Sequence, residues 1–192
     1  MEQRTDVELN IAKKAVQLLE RLEREFGGSP GLEAKQILGE KQKKLSVAGF
    51  APLTKEVNWV KNLELKKLVT HFPRVDSPTE MNFYRVKFDD LTLIEEEGLK
   101  IPSPDKGQFP LDRAEQPAIL LVPGLAFTKK GLRLGRGRGF YDRYLAKSNC
   151  ITIGLVFDVQ LVESLPCDHH DKTVDFVVTE KHIFDCRLER RA

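Results

Sequence analysis

Residues 133–143 read RLGRGRGFYDR, with glycine at 135, 137 and 139 and arginine at 133, 136 and 138. Glycine lacks a Cβ, so a backbone of this kind approaches a ligand closely and adopts positive φ at low cost. Arginine adds planar forks of donors that match phosphate oxygens. Phe140 and Tyr141 follow, and then Asp142 falls in the first turn of an expected helix. A carboxylate there is favoured by the helix dipole even without a ligand; beside a polyphosphate it is what holds Mg²⁺. The run therefore suits a polyphosphate bound at a helix N-terminus, where unpaired backbone N–H groups attract anions.

Two plainer readings stand beside that one. The first is a solvated basic turn at a helix entry that holds nothing. The second is an Arg/Gly patch for nucleic acid, which is weakened by a chain with 31 basic and 29 acidic residues and a net charge of +2. The run matches neither G-x-x-x-x-G-K-[ST] nor G-x-G-x-x-G. A metal at Asp142 calls for a second acid, and DHHDKTVD at 168–175 offers Asp168, Asp171 and Asp175. His169 and His170, as neighbours in the chain, are expected to point apart and to make no metal pair.

The elements that must position these groups follow from periodicity. Ile11, Ala15, Leu18, Leu22 and Phe26 repeat at three- and four-residue steps and predict an amphipathic helix over 6–26. Gly27 and Gly28 end it, Ser29-Pro30 opens a second helix to about Leu45, and Val47 to Ala51 begins the sheet. A helix is expected near 60–68, strands at 68–72 and 81–88, and one long strand over AILLVPGLAF at 118–127, apolar enough to be covered on both faces. After the glycine loop come a helix to about Ala146 and strands at 151–157 and 174–180. IPSPDKGQFP at 101–110 reads as a Pro-rich surface loop. Strands alternating with helices predict an α/β class, a three-layer α/β/α Rossmann-like domain with a mostly parallel sheet. The whole chain, 1–192, is read as a single domain with N-terminal helices over 1–45 packed on it.

Composition sets the bounds. With 41% hydrophobic and 31% charged residues, the chain has an ordinary globular balance. Its start is charged throughout and no segment approaches the ~18 apolar residues of a membrane span, so no membrane association is expected and the cytoplasm is the expected compartment. Cys150, Cys167 and Cys186 are too far apart in the chain for a zinc knuckle or a redox dithiol. No nucleic-acid partner is expected, and a monomer is.

PGLAF at 123–127, GLRLGRGRGFYDR at 131–143, IGLVFD at 153–158 and HDKTVDFVVTE at 170–180 together resemble the 5-formyltetrahydrofolate cyclo-ligases, also called methenyltetrahydrofolate synthetases. The order and spacing over about 60 residues make the match specific, with weaker similarity in FPRV, MNFYRV and GLKIPSP. The resemblance implies a Rossmann-like fold and an ATP- and Mg²⁺-dependent conversion of 5-formyltetrahydrofolate to 5,10-methenyltetrahydrofolate, ADP and phosphate. It implies ATP contacts from Arg133, Leu134, Gly135, Arg136, Gly137, Arg138, Gly139, Phe140 and Tyr141. Folate contacts are implied at Leu53, Glu56, Asn58, Arg136, Gly137, Arg138, Gly139 and Phe140. Catalytic roles fall on Arg133, Arg136 and Tyr141, and Mg²⁺ on Asp142 and Asp171. The alternative is a nucleotide-binding member that has lost folate turnover.

The sequence departs from the family pattern at four places. Phe140 stands where many members have a first tyrosine, and Thr128 replaces an aspartate after PGLAF. Asn58 occupies the expected acidic position for folate, with Glu56 as the alternative acid nearby in the chain. The first helix, NIAKKAVQLLERLE, has no arginine four residues after Lys13 or Lys14, where the family carries Lys-x-x-x-Arg toward ATP.

Overall fold

The computed structural model describes residues 2–27, 45–96, 99–105 and 117–189. The second helix expected between Ser29 and Leu45 and the loop residues 106–110 lie outside them. Helix α1, Glu2–Gly27, buries Ile11, Ala15, Leu18 and Leu22, the stripe that the periodicity marks, while Phe26 is partly covered.

Seven strands form one sheet. In chain order they are β1 (Val47–Ala48), β2 (Val69–Ser77), β3 (Glu80–Arg85), β6 (Ile119–Val122), β9 (Ile151–Leu155), β10 (Phe176–Val178) and β11 (Ile183–Asp185). Their spatial order is β11-β10-β9-β6-β1-β2-β3, parallel through the centre and antiparallel only at the two edge pairs, β10–β11 and β2–β3. The mostly parallel α/β sheet is thus as expected. One face packs on α1 and on a short helix α2 (Leu63–Leu68), around Trp59, Phe72, Ile119 and Phe176. The other face, around Ala48, Leu120, Val122 and Val177, is covered by α3 (Phe140–Leu145) and α4 (Cys186–Glu189) with their loops. No helix among the described residues is long and apolar enough to cross a membrane.

Two expectations are corrected. The run 118–127 is not one strand: after Val122 the chain turns at Pro123-Gly124, and β7 (Ala126–Phe127) pairs antiparallel with β8 (Arg133–Leu134) in a separate hairpin. Pro123 has no N–H to extend the ladder, and Leu125 N instead donates to Leu134 O at 2.8 Å. A Cβ on Gly124 would lie 2.5 Å from the Phe127 ring, so the turn needs glycine. Residues 101–103, read as loop, belong to β5 (Leu99–Ser103), which forms a hairpin with β4 (Thr92–Glu96). Pro102 is tolerated because this ribbon has only two strands and each is an edge.

Candidate active site

The central strands are parallel, so the loops after β1, β6, β9 and β10 open on the same end of the sheet, the usual place for a ligand in such folds. The β7–β8 hairpin fixes the start of the glycine loop. Thr128 closes its tip: it is 2% exposed, and its hydroxyl accepts from Leu132 N at 3.1 Å. An aspartate at this position would accept the same bond, so Thr128 keeps the turn. Gly131, at φ 87°, packs on the chain before β10, with Val174 N donating to Gly131 O at 2.9 Å.

Arg133 therefore leaves a fixed strand with its side chain buried, 6% exposed. Its Nη2 donates to Asp142 Oδ2 at 2.9 Å and its Nη1 to Pro123 O at 3.4 Å, while Nε is buried without a partner among the described residues. The guanidinium lies 5.5 Å from the Tyr141 ring centroid. Burial and the nearby Glu56 carboxylate push the Tyr141 phenol well above its ordinary pKa, against the opposing charge of Arg133. Tyr141 is thus a neutral hydroxyl at physiological pH, able to donate a hydrogen bond.

The loop then runs through Gly137 (φ 81°) and Gly139 (φ 63°), and Gly139 caps α3 in the left-handed conformation. A side chain at Gly137 would meet nothing within 4 Å, so its surface is open to a ligand. Gly135 is different, since a Cβ there would lie 2.5 Å from Arg133 Nη1. Leu134 and Arg138 are exposed and Phe140 is half-buried on the face below, under the Arg143 guanidinium. Arg136 crosses the opening, donating from Nη2 to Thr54 O at 3.0 Å and pairing through Nε with Glu56 Oε1 at 3.4 Å. Glu56 is 7% exposed, and its other oxygen accepts from Leu53 N at 2.8 Å.

The far wall comes from α1, the helix the family pattern points to, but from its first turns rather than from Lys13 and Lys14. Arg4, Thr5 and Glu8 line a pocket of about 520 Å³ with Leu53, Glu56, Asn58 and Lys61. Glu8 is 2% exposed and paired with Arg4 Nε and Lys61 Nζ, each at 3.1 Å. Its Oε1 also accepts from Asn58 N at 3.4 Å. A carboxylate thus reaches Asn58 from a different element, Glu8 of α1. Lys13 is exposed and Lys14 half-buried, and neither lines this pocket. Nothing in the helix periodicity distinguishes Glu8 from the other polar residues of α1; only the docking of the helix does.

Asp171 is brought near Asp142 through the chain, since Lys172 N lies 3.4 Å from Asp142 Oδ1. Its own carboxylate is exposed and closes a turn by accepting from Asp168 N at 2.8 Å. His169 and His170 do not point apart as expected; their rings lie 3.6 Å apart within the turn, both exposed. No three His, Cys, Asp or Glu side chains among the described residues converge on a metal position. Burial pushes the Cys150 thiol up to about 11, which leaves it protonated and a poor nucleophile.

The arrangement is a buried and an exposed arginine flanking a glycine backbone, opposite a pocket with two buried carboxylates. It suits an anion at one end and a group rich in N–H donors at the other. The sequence profile of the 5-formyltetrahydrofolate cyclo-ligase family matches residues 40–180, across the glycine loop and most of the sheet.

The chain belongs to that family.

Individual relatives agree. A 5-formyltetrahydrofolate cyclo-ligase of Mycolicibacterium smegmatis is 38% identical over 98 residues, 50% of this chain and 50% of that protein. One of Mus musculus is 41% identical over 70 residues, 32% and 34% of the two chains. The matches thus span half the length of the first relative and about a third of the second. The solved 5,10-methenyltetrahydrofolate synthetase of Aquifex aeolicus superposes with a TM-score of 0.60 at 27% identity, covering 96% of this chain and 93% of that one. That of Mycoplasma pneumoniae shares the fold with a TM-score of 0.64 at 21% identity, covering 94% and 88%.

Proposed function

We propose that the protein catalyses the ATP- and Mg²⁺-dependent closure of 5-formyltetrahydrofolate to 5,10-methenyltetrahydrofolate, with release of ADP and phosphate. The observation that carries this reading is the loop that starts at Arg133: its guanidinium is joined to Asp142, and the glycine run behind it leaves the surface at Gly137 open. An open glycine backbone beside guanidinium donors suits phosphate oxygens, which accept from both.

In the proposed reaction the formyl oxygen attacks the γ-phosphorus of ATP and ADP leaves. The folate N10 then attacks the activated carbon and loses its proton, and phosphate departs with the former formyl oxygen as the ring closes. Charge develops on the transferring oxygens, where Arg133 and Arg136 stabilise it without any protein nucleophile. Tyr141, held neutral, donates a hydrogen bond rather than taking a proton. Gly135, Gly137 and Gly139 let the backbone approach the phosphates, while Arg138 and Phe140 flank them. Asp142, together with Asp171 on the neighbouring turn, would hold Mg²⁺, which takes one or two carboxylates and otherwise binds phosphate oxygens and water. Leu53, Glu56 and Asn58 form the folate side, where buried carboxylates accept from the N–H groups of the pterin edge. The same proposal has the chain act as a monomeric, single-domain enzyme of the cytoplasm.

Mixing folded protein with MgATP and 5-formyltetrahydrofolate tests it through the absorbance of the methenyl product. A signal well above an enzyme-free blank is expected. ATP binding in calorimetry without folate binding or product would instead assign the chain to the non-catalytic alternative.

A further inference from the structure

Gln160 lies outside the residues discussed so far, yet its side chain touches three of the loops that build the site. Its Nε2 donates to Leu125 O at 2.8 Å, in the turn after β6. The same nitrogen reaches Lys55 O at 3.4 Å, in the loop after β1. Its Oε1 accepts from Phe157 N at 3.3 Å, just after β9. The backbone beneath it is anchored: Gln160 N donates to Phe157 O at 2.8 Å, Leu161 bridges to Phe127, and Val162 N donates to Phe127 O at 2.8 Å. A primary amide with two donors and one acceptor, on a fixed backbone, thus spans the carboxyl ends of three adjacent parallel strands.

The Lys55 end of this brace is unusual. Lys55 has φ 75°, and among the described residues it is the one non-glycine in the left-handed region. That conformation is disfavoured for a lysine and persists where its surroundings hold it. The residues on either side, Thr54 and Glu56, are the two anchors of Arg136. If φ at Lys55 relaxed to negative values, the Thr54 carbonyl and the Glu56 carboxylate would no longer face one guanidinium.

We propose that Gln160 is a positioning residue for the folate side of the site, holding Lys55 in its strained conformation so that loop 53–56 presents Glu56. This rests on the cyclo-ligase reading, because the effect is expressed on that substrate. Gln160 touches no reacting group; it acts through Lys55.

The test is the full-length chain carrying Gln160→Ala, compared with the unaltered protein. The KM for 5-formyltetrahydrofolate is expected to rise about tenfold, the effect of losing roughly one hydrogen bond's worth of organisation, and the KM for ATP by a clearly smaller factor, because Arg136 keeps its place on the glycine loop when its two anchors move. Gln160→Glu, which retains the acceptor for Phe157 N and removes both donors, is expected to give the same split if the alanine variant folds poorly. Adding Lys55→Gly to Gln160→Ala is expected to recover most of the lost folate affinity, because glycine adopts positive φ unaided. Trypsin supplies a readout independent of turnover: cleavage after the exposed Lys55 should be faster in Gln160→Ala than in the unaltered chain. Equal changes in both KM values, no rescue by glycine, or unchanged cleavage at Lys55 would each overturn the proposal. An unaltered protein without turnover would count against the cyclo-ligase reading instead, and the cleavage comparison would still decide the role of Gln160.

Discussion

Arg136 Nε lies 3.4 Å from Glu56 Oε1, joining the glycine loop to the loop after β1 across the mouth of the site. The two residues are 80 positions apart in the chain, and the pair sets the distance between the anion-binding and the carboxylate-lined halves. Arg136 is 38% exposed, so its removal should spare the fold. Arg136→Ala is expected to lower kcat by about 10²-fold, the usual cost of removing one donor from developing charge. Thermal melting should be nearly unchanged; a large loss of Tm with normal turnover per folded molecule would contradict the assignment.

Arg133 and Asp142 should behave as a coupled pair. Arg133→Ala is expected to reduce turnover by about 10²–10³-fold. It should also lower Tm, because the change removes buried packing and strands Asp142. Asp142→Asn should raise the Mg²⁺ concentration for half-maximal activity by about tenfold or more while leaving some turnover at saturating metal. Steady-state kinetics across a Mg²⁺ titration separates the two roles.

Two of the left-handed glycines, Gly131 and Gly137, make different demands. Gly137→Ala places a Cβ in open space, so backbone strain alone should lower Tm by about 2–4 °C. Gly131→Ala adds a collision with the carbonyl of Val174 and should lower it considerably more. Differential scanning calorimetry of the two variants gives the comparison directly.

Asp76, on the β2–β3 ribbon, predicts the acid side of the stability profile. Burial raises its pKa, but hydrogen bonds from Asn82, Tyr84 and Arg74 outweigh burial and leave it below the ordinary 3.8. A depressed folded pKa adds stability that is present above the unfolded value and is lost as pH falls through the folded one. Asp76→Asn should therefore melt below the unaltered protein at neutral pH, and the gap should close as pH drops below about 3.8, read by Tm at each pH.

Much of this was legible in the chain. The stripe Ile11, Ala15, Leu18 and Leu22 sets the buried face of α1, and the parallel core strand β6, ILLV, is a continuous apolar run. The glycine loop announces itself because positive φ and close approach demand glycine at defined positions. The break at Pro123 was obscured by the apolar residues on both sides, although the proline itself carried the signal. Glu8, Lys61 and Gln160 were not legible, since each acquires its role only when distant loops meet at the carboxyl end of the sheet. Thr128 is the opposite case: a departure at the level of residue type that its hydrogen bond to Leu132 N makes structurally conservative.

The most direct test of the central claim is the ratio of ADP released to methenyltetrahydrofolate formed, with ATP, Mg²⁺ and 5-formyltetrahydrofolate present together and with each omitted in turn. The account predicts equal amounts of the two products in the complete mixture and neither product when any component is missing. ADP release without the methenyl product, or no product at all from folded protein, would contradict it.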